Sequence, residues 1–191
     1  LIYMFDIKKN KNEIDLNKLH ENDIYIKKIL EKLIKFLCIH INNQINAGAD
    51  VVQIFDSWAG LIKQEDFNNY CIKPNSKLVS LCKSKNIPVI CFPRGIGENY
   101  KKFNDIVKPD GLNIDYEVNP KWAKSNLKDV VIQGGLNPSF LLSSEEEMVK
   151  NTREYLDAFE DLPYVFNLGH GLLPETDPDK VEKLIKFYRK Y

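Results

Sequence analysis

The sequence predicts an α/β fold in which parallel strands alternate with outer helices, arranged as part of a (β/α)8 barrel. Three observations predict it. A short β-branched strand followed by a helical stretch recurs five times, with one more helix in front. Polar residues gather where the strands end, at Asp56, Ser57, Arg94, Asp115, Gln133, Asn137, Asn167 and His170. In a parallel barrel the loops after the strands open at one mouth, so this recurrence is the expected pattern. The competing doubly wound sheet advertises a glycine-rich phosphate loop after its first strand. The only candidate, Gly95-Ile96-Gly97, lacks a third glycine, follows an inner strand and reads as a turn.

The elements follow in order. Ile26, Ile29, Leu30, Leu33, Leu37, Ile41 and Ile45 recur at three-and-four spacing, which predicts a helix over 25–47 with Gly48 as its C-cap. Residues 51–55 read as a buried strand ending in Asp56-Ser57. A helix over 65–85, a strand over 87–92 and a helix over 98–107 come next. Residues 111–115 make a short strand, 119–126 a short helix and 130–133 a strand ending at Gly134-Gly135. Ser144 with Glu147 forms a capping box that opens a helix to about 160. The last strand covers 164–168, and Asp177 with Pro178 starts the final helix.

Residues 1–191 read as a single domain. Leu1 to Phe5 reads as the end of a sixth strand whose beginning precedes residue 1, and the Asn/Lys-rich stretch 8–23 as the place for disorder. Five to six strands do not close an eight-stranded barrel, so the barrel is expected to be incomplete here.

Composition excludes several classes. Lys+Arg and Asp+Glu balance at 27 each, and no basic run marks a nucleic-acid face. No apolar run approaches the roughly 20 residues of a membrane span. The four cysteines, Cys38, Cys71, Cys82 and Cys91, include no C-x-x-C pair. Cys38 and Cys82 fit small core positions, and Cys38 and His40 point to different faces of a helix. A reduced, cytoplasmic protein with no metal is expected.

Taken singly, each polar strand-end residue has an ordinary reading. Ser57 can cap a loop or donate to a ligand. Arg94 can pair with a substrate carboxylate or with a neighbouring acidic side chain. Asp115 can line a site or cap the next helix. Asp56 fits a residue that orients the turn backbone, and Trp58 fits core packing.

Longer motifs sharpen these readings. Gly48-Ala49 through Gln53-Ile54-Phe55-Asp56-Ser57-Trp58-Ala59-Gly60, Phe92-Pro93-Arg94-Gly95, Gln133-Gly134-Gly135-Leu136-Asn137-Pro138 and Phe166-Asn167-Leu168-Gly169-His170-Gly171 occur in this order. Together they resemble the uroporphyrinogen decarboxylase family, most firmly from about residue 25 to the end. Gly135 and Asn137 stand where the family commonly has asparagine and aspartate. Residues 6–11 replace its glycine-rich E-G-G-G-S segment. Its R-Q-A-G-R-Y motif and essential aspartate match nothing in the chain, and the family's order places them before residue 1.

The resemblance implies a decarboxylase of the TIM-barrel class that converts the four acetate side chains of uroporphyrinogen III to methyls, giving coproporphyrinogen III and CO2. It implies no metal or organic cofactor, a tetrapyrrole substrate, a homodimer when full length, and no activity of these 191 residues alone. Ser57, Arg94 and His170 would bind substrate, and His170 and Tyr3 would be catalytic, Tyr3 as the match to a tyrosine beside the absent aspartate. His170 can serve either a propionate contact or proton traffic. Two other functions compete. A related zinc-dependent corrinoid or thiol methyltransferase needs a soft His/Cys/Cys ligand set, and no H-x-C pair accompanies Cys91. A non-catalytic tetrapyrrole-binding half-barrel needs only the cleft.

Overall fold

The computed structural model describes residues 8–10, 13–14 and 23–191. Within the stretch expected to be disordered, β1 (Lys8–Asn10) and β2 (Glu13–Ile14) pair antiparallel. Tyr3 and the proposed sixth strand lie outside the described residues. The chain divides into two compact units, one of residues up to Ile96 with Asp105–Pro109, the other of Gly97–Asn104 with Asp110–Tyr191.

In the first unit, α1 (Asp23–Asn46) buries Ile26, Ile34 and Ile41, seven or eight residues apart and so on one face. Gly48 follows with φ +100° and donates its N–H to the Ile45 carbonyl, closing the helix as expected. β3 (Val52–Asp56) then pairs in parallel with β4 (Val89–Pro93), in a register running from Val52 opposite Val89 to Asp56 opposite Pro93. Between them the expected single helix is three pieces in succession. α2 (Gln64–Phe67) passes into a π-helical turn, Asn68–Ile72, and then into α3 (Lys73–Ser84). Pro74 supplies a reason. It has no N–H to donate and its ring crowds the preceding turn, and widening that turn relieves the clash. Phe67, Cys71, Asn75, Leu78 and Cys82 form the buried stripe of this helical stretch.

The second unit holds three parallel strands. β5 (Gly111–Ile114) pairs with β6 (Val131–Gly134), and β6 with β7 (Tyr164–Val165). α5 (Pro120–Asn126) and α6 (Glu145–Ala158) follow β5 and β6, and α7 (Pro178–Tyr188) follows β7. A further helix, α4 (Asn99–Val107), is shared between the two units in sequence, its first six residues belonging to this one. Leu136, Leu141, Met148 and Leu184 form one core cluster, each side chain contributing roughly 1.5–3 kcal/mol by its burial.

Most start signals act as read. Ser144 accepts from the Glu147 N–H, and Asp177 accepts from the Asp179 N–H with Pro178 at the first helical position. One reading is corrected. Asp115 does not cap α5, because Asn119 does, accepting from the N–H groups of Lys121 and Trp122. The last strand is also shorter than expected. The Asn167 side chain accepts from the Leu168 N–H, a local bond that competes with the sheet ladder, and only an isolated bridge between Leu136 and Leu168 continues the pairing. In outline the fold is α/β with parallel strands, as the sequence predicts.

Candidate active site

In the first unit the site begins where β3 and β4 end. Register pairs Asp56 with Pro93, so Ser57 and Arg94 leave the ladder at neighbouring positions. The Arg94 N–H donates to the Asp56 carbonyl (3.2 Å) and the Gly60 N–H donates to the Arg94 carbonyl (2.9 Å). The two turns are thus laced together by backbone. They also touch closely: a Cβ on Gly60 would stand 2.2 Å from the Gly95 carbonyl oxygen, and Gly95 has φ +78°. Only glycine at 60 allows this approach.

Asp56 does more than orient the turn. Its carboxylate accepts from Asn75 Nδ2 (3.1 Å) and from the Cys71 thiol, so it faces the helical layer even though the residue as a whole is half-buried. That burial raises its pKa, while the hydrogen bonds from Asn75 and Cys71 pull the other way. Burial also pushes the Cys71 thiol far up, with the Asp56 charge adding to it, so Cys71 is a neutral donor rather than a nucleophile. Strand alternation sends Phe55 to the opposite face. There it is 66% exposed and meets Phe92 edge-to-face at 6.2 Å. Ser57, two residues after Phe55, is exposed.

In the second unit, His170 lies half-buried two residues beyond the Leu136–Leu168 bridge. Its Nδ1 is 3.2 Å from the Gly171 carbonyl oxygen, which can only accept. Such a bond needs a proton on Nδ1. Gly169 donates to the Leu136 carbonyl (2.8 Å), and a Cβ on it would fall 2.3 Å from the Tyr116 nitrogen. The His170 turn therefore packs directly on the turn after β5. Asp115 in that turn is 3% exposed and accepts from the Tyr100 hydroxyl (3.0 Å) and the Glu117 N–H (3.0 Å). Beneath it, Gln133 Nε2 donates to Asn113 Oδ1 (2.7 Å), and Asn113 Nδ2 to the Ile114 carbonyl (3.0 Å). Burial raises the pKa of Tyr155 to about 12, with the charges of Asp115 and Glu154 adding to it.

Ser57 and Arg94 thus stand together in one unit, and His170 stands in the other. The sequence reading missed Asn75, Phe55 and Tyr100. Asn75 carried a signal, being the one polar member of an otherwise apolar stripe one residue after a proline. Among the described residues no group of three or more His, Cys, Asp or Glu side chains is gathered to hold a metal ion, and no helix is long and apolar enough to cross a membrane.

Comparison with known proteins identifies the family. The profile described as uroporphyrinogen decarboxylase (URO-D) matches residues 4–191. A uroporphyrinogen decarboxylase of Cereibacter sphaeroides is 33% identical over 98% of this chain and 56% of its own length. Those of the Wolbachia of Brugia malayi and of Orientia tsutsugamushi are each 38% identical, over 96% and 94% of this chain and 52% and 53% of their own lengths. The chain spans about half the length of the curated relatives it matches.

Proposed function

We propose, from the premise that this chain belongs to the uroporphyrinogen decarboxylase family, that the whole protein removes the four acetate carboxyls of uroporphyrinogen III as CO2 and yields coproporphyrinogen III. The observation that carries the reading is the pairing of Ser57 and Arg94 at adjacent strand tips. A hydroxyl donor and a guanidinium borne by neighbouring backbone positions suit a carboxylate, and the exposed Phe55 ring, two residues before Ser57, suits the flat apolar body of a tetrapyrrole.

The chemistry sets the remaining needs. Loss of CO2 from an acetate leaves an electron pair, and protonation of the adjoining pyrrole carbon makes a cationic ring that can take it up. The protein must hold the carboxylates, supply the proton and stabilise the cation. Ser57 and Arg94 serve the first need. His170 serves a propionate contact or moves a proton. Tyr3 is kept as a catalytic candidate on the resemblance alone. The aspartate and arginines that the family uses toward the pyrrole N–H groups and further carboxylates match no residue here, so these 191 residues alone are expected to be inactive. With the reading go a homodimer, a cytoplasmic location, no nucleic-acid partner, and catalysis without metal or organic cofactor.

The test is turnover. The whole protein, given uroporphyrinogen under anaerobic conditions, should yield porphyrinogens of seven, six, five and four carboxyls, resolved by chromatography after oxidation. The 191 residues alone should yield none. An inert whole protein would sink the reading, and stoichiometric zinc in it would point to the methyltransferase instead.

A further inference from the structure

Asn75 is 4% exposed and spends both amide hydrogens within the protein, one on Asp56 Oδ2 (3.1 Å) and one on the Cys71 carbonyl (2.9 Å). The second bond ties it to the π-helical turn, and the first reaches across to the tip of β3. Asp56 is the junction of the two turns. Its side chain is held from the helical layer, its carbonyl accepts from Arg94, and Ser57 follows it directly. The Arg94 carbonyl in turn holds Gly60. A buried amide, together with the Cys71 thiol, therefore anchors the backbone from which both proposed carboxylate donors depart. A polar residue in the apolar stripe of Phe67, Cys71, Leu78 and Cys82 would be costly to bury without such a partner.

We propose that Asn75 is a positioning residue, which by clamping Asp56 to the helical layer sets Ser57 and Arg94 at the spacing that grips one substrate carboxylate. This rests on the substrate reading given above for Ser57 and Arg94. Asn75 never touches substrate. Its loss should leave the reacting centre intact and let the Ser57 turn drift, so that ground-state binding weakens while the chemical step is spared.

The whole protein tests this with Asn75→Leu, Ser57→Ala and the double variant. Each single change should raise KM for uroporphyrinogen about tenfold with kcat altered less than about twofold, the effect of one modest hydrogen bond. If Asn75 acts through Ser57, the double variant should stay near that figure. Multiplication of the two effects to about a hundredfold would mean independent sites and would overturn the proposal. So would an Asn75→Leu protein of lowered Tm and unchanged KM.

A second readout does not depend on turnover. Amide exchange at Arg94 and Gly60 should quicken more than about tenfold in Asn75→Leu, with Leu112 unchanged as the control for general loosening. Unchanged exchange at Arg94 and Gly60 overturns the clamp even if the protein decarboxylates. If the wild-type protein leaves uroporphyrinogen untouched, the functional reading falls, and exchange still decides whether the clamp exists. Should Asn75→Leu fail to fold, Asn75→Ser takes its place in both measurements with the same expectations.

Discussion

The Ser57 turn leaves a five-residue strand whose register with its neighbour runs to the last residue, whereas the His170 turn leaves a strand of only two residues. Each lies beside a strand-tip aspartate that a neighbouring helical segment secures: Asn75 and Cys71 hold Asp56, and Tyr100 holds Asp115. In the first unit the hold acts on the residue directly before Ser57. In the second it acts on a different turn, and His170 gains its support through Gly169 pressed against Tyr116. A regular ladder with a side-chain clamp can be loosened in steps. A glycine seated against backbone, as Gly169 is on Tyr116 and Gly60 on Gly95, has no atoms to spare, and changes there are all-or-none.

The largest expected effect sharpens that contrast. Gly169→Ala must displace the backbone at Tyr116, and Gly60→Ala that at Gly95. Each should cost about 3 kcal/mol or more of stability in the whole protein, measured by denaturant unfolding, since no flexible side chain can yield. If Gly169→Ala unfolds at the wild-type midpoint, the His170 turn is not seated as described. Tyr100→Phe comes next. It removes one of the two described donors to the buried Asp115 and should cost about 1–3 kcal/mol. A loss below a few tenths would mean that Asp115 is satisfied by other partners.

Ser57→Ala tests the exposed end of the comparison. It should leave stability within about 0.5 kcal/mol and act on KM, about tenfold, more than on kcat. A collapse of kcat at unchanged KM would make the hydroxyl a participant in chemistry.

The smallest effect is in pH dependence. Because burial raises the pKa of Asp56 above its ordinary 3.8, the folded state holds the proton more tightly than the unfolded state does. This favours folding fully below 3.8, and the advantage is lost as pH rises from there through the raised folded value. Asp56→Asn lacks this loss, so its Tm should gain on that of the wild type as pH climbs from 3.8 upward. A constant Tm difference across that range would show that the carboxyl is not held as described.

Much of this was legible in the chain itself. The alternation of elements, the caps at Ser144 and Asp177, the Gly48 stop and the strand-end positions of Ser57 and Arg94 all follow from local rules of periodicity, capping and turn chemistry. The misreadings have different causes. Asp115 looks like a cap because aspartate before a helix normally is one, but its carboxylate accepts from the Glu117 N–H, ahead of the helix, and from Tyr100, fifteen residues upstream. The long strand expected at 164–168 stops early because Asn167 bonds its own neighbour.

The sequence by itself determined the order of strands and helices, the family, and which side chains stand at strand tips, because these depend on neighbours a few residues away. Only the tertiary structure decided that the Asp56 side chain turns to the helical layer, away from the face that carries Phe55, that Asn75 meets it nineteen residues on, and that Gly60 rests on Gly95. Such contacts join positions whose separation along the chain carries no period, and they exist only once the layers have packed.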